Sequence, residues 1–133
     1  MATFLAKTDP ETYSITDLER DGVTVWDGVR NAQAVATIKT MQPGDTVLIY
    51  HSMSAAAIVG IAEIISVPRP APNEPKSWVV DLRFVRTLST PVSLREIKAT
   101  HQFDDWALIR QSRLSTMAAP PDFIAWLQQR GAL

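Results

Sequence analysis

Hydrophobic and polar positions along the chain follow two periods, and the switches between them mark the elements. Thr3-Phe4-Leu5-Ala6-Lys7-Thr8 has the short apolar run of a strand. Asp9-Pro10 stops it, because proline disfavours the helical region for the residue before it. Ser14 opens a short helix: Asp17 follows three residues later in a capping-box-like arrangement, and Gly22 supplies the stop. Residues 31–41 read as a second helix, with Ala34, Ile38 and Met41 on one face and Pro43-Gly44 at its end. The β-branched and aromatic run 46–52 predicts a strand covered on both faces, and 58–67 predicts its neighbour. Within that neighbour Gly60 either admits close approach of another backbone or a ligand, or marks a bulge.

Four prolines in the eight residues 68–75 predict an exposed, extended loop. In the strand expected over 78–87, Trp78, Val80, Leu82 and Phe84 share a core-facing side, with Asp81 and Arg83 opposite. Ser93-Leu94-Arg95-Glu96 is a full capping box for a third helix, and 103–109 suggests a further helical turn or two. Residues 113–117 return as a last strand. Pro121 suits a first helical position, and Phe123, Ile124, Trp126 and Leu127 give the closing helix an apolar face before Gly131. The sum is an α+β domain of five to six mostly antiparallel strands with peripheral helices, in a small barrel or strongly curved sheet. Neither strict strand–helix alternation nor a glycine-rich phosphate loop points to a doubly wound fold.

At 133 residues, 46% hydrophobic and 20% charged, the chain is expected to form one domain over residues 1–133. Neither a membrane span nor a basic leader is evident, so a cytoplasmic monomer without membrane contact is expected. Cysteine is absent, which removes disulfides and thiolate chemistry, and His51 and His101 lack ligand spacing. No metal and no cofactor are therefore expected. The net charge of −1 conceals an asymmetry: residues 1–68 carry four basic and eight acidic side chains, residues 69–133 nine and six. That balance does not indicate tight sequence-independent binding to nucleic acid, and leaves Arg69, Lys76, Arg83 and Arg86 as the stretch that would track a phosphate backbone.

The composition is oddest at residues 24–31, Thr-Val-Trp-Asp-Gly-Val-Arg-Asn, between two helical patterns. Packing rarely asks for Trp, Gly, Arg and Asn in succession, so this loop is the candidate site. Trp26 offers a face on which a base can stack, against the plainer role of a core tryptophan. Arg30 can fork to a phosphate or form a salt bridge; Asn31 can read a base edge or cap a helix. In Tyr50-His51-Ser52 alternate side chains point to opposite faces, so only Tyr50 and Ser52 share one. That weakens a His51–Ser52 catalytic pair, and no Gly-x-Ser-x-Gly elbow is present.

Taken together, Lys7-Thr8-Asp9-Pro10, Tyr13-Ser14, Trp26-Asp27-Gly28-Val29-Arg30-Asn31, Gly44-Asp45, Tyr50-His51-Ser52, Ile58-Val59-Gly60-Ile61-Ala62 and Arg113-Leu114-Ser115 resemble an EVE domain over nearly the whole chain. The resemblance implies a PUA-like fold, related to YTH and ASCH domains, with a small twisted β-barrel. It implies a non-enzymatic reader of a modified base, foremost a modified cytosine such as 5-methylcytosine in DNA, held by base flipping. The partner would then be nucleic acid carrying a modified base, together with a separate nuclease or restriction component. The implied ligand-binding residues are Lys7, Tyr13, Ser14, Trp26, Val29, Arg30, Asn31, Tyr50, His51, Ser52, Arg113, Leu114 and Ser115, with no catalytic residue. Ala32 and Thr116 depart from the family's usual aromatic and valine. Two alternatives stand beside this reading: RNA-binding through a modified base, as in YTH relatives, and a small hydrolase acting on a modified nucleoside or amide, for which His51 is the available base.

Overall fold

The computed structural model describes residues 1–133. Strand β1 (Thr3–Thr8) leads through a turn to helix α1 (Ile15–Asp21), then β2 (Val23–Trp26), α2 (Ala32–Lys39), β3 (Thr46–His51) and β4 (Ala57–Ile64). Strands β5 (Arg69–Ala71) and β6 (Glu74–Ser93) follow, then α3 (Leu94–Ala99), α4 (Ala107–Arg110), β7 (Thr116–Ala118) and α5 (Pro121–Gln129). Six strands form one path, β2-β6-β4-β3-β1-β7, and β5 pairs with β6 beside it. β1 runs parallel to β3; every other pairing is antiparallel. The ends of the path, β2 and β7, do not pair, so of the two forms expected, a small barrel or a strongly curved sheet, the sheet is the open one, and the closed barrel that the resemblance implied is not formed.

Burial follows the hydrophobic pattern. β3 and β4 are buried almost throughout, and Leu5, Leu48, Ile58, Leu82, Phe123 and Leu127 are among the largest fully enclosed side chains. Phe123 anchors α5 edge-on against Phe103 and tilted against Trp106. Two stretches are more regular than expected. The proline-rich loop folds back as β5 onto β6, which tolerates it because proline's missing N–H costs nothing on an edge. Residues 23–26, read as loop, form β2, with Thr24 opposite Leu82 and Trp26 opposite Val80. One stretch is less regular: the last strand begins at Thr116, leaving residues 113–115 outside it. No helix is long and apolar enough to cross a membrane.

Helix α1 is opened by a capping box and fixed to the sheet by two contacts of Ile15. Ser14 caps it in a reciprocal box with Asp17, whose carboxyl the Ser14 backbone N–H, foremost, holds below the usual range. The Ile15 N–H, a further unpaired helix-start donor, is accepted by His51 Nε2 at 3.0 Å. Ile15 packs over Gly60, where a Cβ would lie 2.4 Å from Ile15 Cδ1 and 3.0 Å from the Arg86 carbonyl. Gly60 also lies at register shifts against both β3 and β6, so the bulge and the close approach expected for it coincide. At α3 the capping box is only half made: Ser93 accepts from Glu96 N–H, but the Glu96 carboxylate turns to Arg130.

Two outcomes follow for stability. Gly60→Ala lowers it by about 1–3 kcal/mol in denaturant titration, because a methyl there must displace Ile15. His51 accepts a hydrogen bond only when neutral, and burial lowers its pKa from the ordinary imidazole value. Its contribution is full above about pH 6.5 and is lost as pH falls through the lower folded value. The melting temperature therefore drops between pH 7 and pH 5, and His51→Gln, which keeps an acceptor but cannot titrate, flattens that dependence.

Candidate functional site

A cavity of about 390 Å³ lies between the two ends of the open sheet. One wall is β2 and the turn after it, Thr24 through Val29; the other is Lys7 and Thr8 of β1, Thr12 and Tyr13 of the next turn, and Ser115 just before β7. Local sequence builds both walls. Asp9 ends β1 and its carbonyl accepts from the Thr12 and Tyr13 N–H groups, closing a tight turn. Gly28, at φ 78°, takes the left-handed conformation that swings the chain out of β2, so that Val29 buries itself and Asn31 starts α2.

The cavity gathers five of the residues named from sequence: Lys7, Tyr13, Trp26, Val29 and Ser115. Trp26 is half-buried against the core, and its indole Nε1 is closed to water and without a partner. An atom closed to water cannot hydrogen-bond a ligand in an open cavity, so Trp26 offers ring surface there. Lys7 is half-buried and its Nζ donates to the Ser112 carbonyl at 3.0 Å, 5.6 Å from the Tyr50 ring centroid. Burial lowers the Lys7 pKa and raises that of Tyr50. Tyr13 Oη donates to Asp21 at 2.8 Å.

The remaining named residues lie outside the cavity lining. Ser14 and Asn31 are helix caps, the Asn31 side-chain carbonyl accepting from the Gln33 and Ala34 N–H groups. His51 serves α1, and Ser52 Oγ donates to the Thr8 carbonyl at 3.2 Å. Tyr50 is 4% exposed and supports Lys7 from below; Leu114, also 4% exposed, is core. Arg30 pairs with Glu74 of the β5–β6 hairpin, and Arg113 borders a shallow depression with Asn31 and Arg110. Of the two departures from the family pattern, Ala32 is exposed and Thr116 fully buried, so neither touches the cavity.

The lining also includes Thr8, Thr12, Thr24, Val25, Asp27 and Gly28, none of which was given a ligand-binding role of its own from sequence. Thr24 was within reach: once residues 23–26 are read as a strand, period two places it on the same face as Trp26. Two of the four cations expected to track a phosphate backbone are ion-paired. Arg69 pairs with Asp81, Arg83 with Glu63, and Arg86 donates to the Ala132 carbonyl, leaving Lys76 unpaired. Two other depressions, an apolar one along Phe4, Ala118 and Ile124 and one under the β5–β6 hairpin, have similar volumes, about 460 and 470 Å³. Neither sets an aromatic ring beside charged groups that lack ion-pair partners. No three metal-ligating side chains converge anywhere in the chain.

Comparison with known proteins places this arrangement. The EVE domain family matches residues 2–130. Thymocyte nuclear protein 1 of Rattus norvegicus is 32% identical, over 74% of this chain and 56% of its own length. The chain thus spans a little over half of the curated relatives it matches. Among solved structures, Rpa0253 from Rhodopseudomonas palustris superposes with a TM-score of 0.90 at 34% identity, covering 98% of this chain and 93% of that one. Human THYN1, solved in complex with 5-methylcytosine containing DNA, superposes with a TM-score of 0.85 at 27% identity, covering 97% and 98%. A remoter likeness, of fold alone, is to ASCH from Zymomonas mobilis, with a TM-score of 0.67 at 14% identity over 96% and 94% of the two chains. The open, curved sheet with its five helices is PUA-like, and the chain belongs to the EVE domain family.

Proposed function

We propose that this protein is a reader of a modified base, foremost a modified cytosine in DNA, which it takes flipped into the cavity beside Trp26. The observation that carries the reading is the cavity itself: about 390 Å³, an aromatic side chain on each wall in Trp26 and Tyr13, and a rim of hydroxyls and charged groups, placed where the sheet fails to close. Its size and mixed lining suit a small ring with a few directed polar contacts. A relative solved with 5-methylcytosine containing DNA supports this choice of ligand. Extruding a base costs a few kcal/mol, which stacking on Trp26 and contacts to the base edge offset.

Binding without turnover is the better reading of the same residues. His51, the imidazole a hydrolase would use, is 9% exposed and its Nε2 accepts from the Ile15 N–H. Its commitment to α1 and its position outside the cavity lining favour binding over turnover. As a cytoplasmic monomer, such a reader acts by occupying its site or through a separate nuclease or restriction component.

The test is a titration, at one fixed salt concentration, of matched DNA and RNA oligonucleotides carrying cytosine, 5-methylcytosine, 5-hydroxymethylcytosine, adenine or N6-methyladenine. Stacking is worth roughly 1 to 3 kcal/mol per base, so Trp26→Ala weakens binding of the preferred DNA about tenfold or more, with Trp26→Phe between it and wild type. Wild-type affinity in a Trp26→Ala protein shown by circular dichroism to be folded contradicts the reading.

A further inference from the structure

Two charged groups line the cavity beside Trp26, and neither has an ion-pair partner. Asp27 is exposed, is the one carboxylate in the lining, sits on the ridge between this cavity and the depression under the β5–β6 hairpin, and its side chain makes no hydrogen bond. The nearest acid in sequence, Asp21, is committed to Tyr13 and Arg20. Lys7 Nζ reaches only the Ser112 carbonyl, which leaves it protons to donate elsewhere. No ion pair joins Lys7 to Asp27, so an acceptor-only group and a donor-only group border one space without neutralising each other.

Pyrimidines differ in what such groups can sense. Cytosine carries a 4-amino donor, where thymine and uracil carry a 4-carbonyl acceptor; all of them carry a 2-carbonyl acceptor. The 5-methyl group is common to 5-methylcytosine and thymine. Contact with Trp26 and Val29 therefore cannot separate those two bases; a polar group at the 4-position can. A carboxylate accepts from the amino group and is repelled by the carbonyl, the chemistry by which acidic side chains recognise cytosine elsewhere.

We propose, resting on the reading of this cavity as a base site, that Asp27 sets its specificity by accepting from the exocyclic 4-amino group of a cytosine-type base, while Lys7 donates to the 2-carbonyl. Recognition then divides into two separable parts. Trp26 and Val29 sense the 5-substituent, and Asp27 senses whether the base is amino or keto. Lys7, held over Tyr50 and by Ser112, contributes affinity without choosing between the two.

The experiment uses four single-stranded DNA oligonucleotides that differ only in a central cytosine, 5-methylcytosine, uracil or thymine. Wild-type protein binds 5-methylcytosine roughly tenfold or more tighter than thymine, and cytosine tighter than uracil by a similar factor. Asp27→Asn, which is isosteric and at an exposed position, presents both a donor and an acceptor. It brings both ratios to within about twofold of unity and keeps the preference of 5-methylcytosine over cytosine. Lys7→Met weakens all four alike. Equal binding of thymine and 5-methylcytosine by wild type overturns the assignment, as do unchanged amino-over-keto ratios in Asp27→Asn or a ratio that collapses in Lys7→Met instead. Wild-type protein that binds none of the four overturns the base-site reading itself, so the two failures are distinct.

Discussion

A sheet that curls without closing has two edges whose backbone donors and acceptors must find partners, and this protein is arranged around those edges. At the β7 end the three-residue ladder is extended on both sides by single bonds, Lys7 N–H to the Ser115 carbonyl at 2.8 Å and Ala119 N–H to the Thr3 carbonyl at 2.9 Å. At the other end β2 is four residues long and stops at the Asp27–Gly28 turn. The cavity is the space left between them. Closing the sheet there would abolish the site, so the short edge strands and the site have one cause.

What surrounds the opening is held firmly. Gly60 lets α1 lie close on the sheet, and His51 and Ser14 satisfy donors at that helix's start, which fixes the turn carrying Thr12 and Tyr13. Asn31 does the same for α2, directly after the Trp26 turn. Lys7 ties residues 112–115 to β1 through both its backbone and its side chain. Most polar residues near the opening are therefore spent on structure. The charged groups left unpaired at the cavity, Asp27 and Lys7, are the ones available to a ligand.

The core elements were legible because each carries a local signal that tertiary packing reinforces. Ser14 with Asp17, Pro121 at a helix start, and the apolar runs of β3 and β4 all say in sequence what they do in space. β2 was hidden because Trp-Asp-Gly-Val-Arg-Asn has a turn's composition at one end, and only four residues before it pair with β6. β5 was hidden by its prolines, whose cost disappears on an edge. The site was half legible. Trp26, Lys7 and Ser115 come from three distant stretches, brought to one cavity only by the whole strand path from β2 through β6, β4 and β3 to β1 and β7, and the motif reading named all three. Motif membership does not say which side chains line the cavity and which hold its frame: Ser14, Asn31 and His51 were named beside Trp26, and in the structure they satisfy donors at helix starts.

The central claim is that the opening between β2 and β7 is where a base enters. Amide chemical shifts of labelled protein, followed while a 5-methylcytosine oligonucleotide is added, test it most directly. The account predicts that the largest changes fall on Lys7, Thr8, Thr12, Thr24 to Val29 and Ser115, with the two walls shifting together. Changes centred on the groove of Phe4 and Ile124, or on the β5–β6 hairpin, with the opening unmoved, would contradict it.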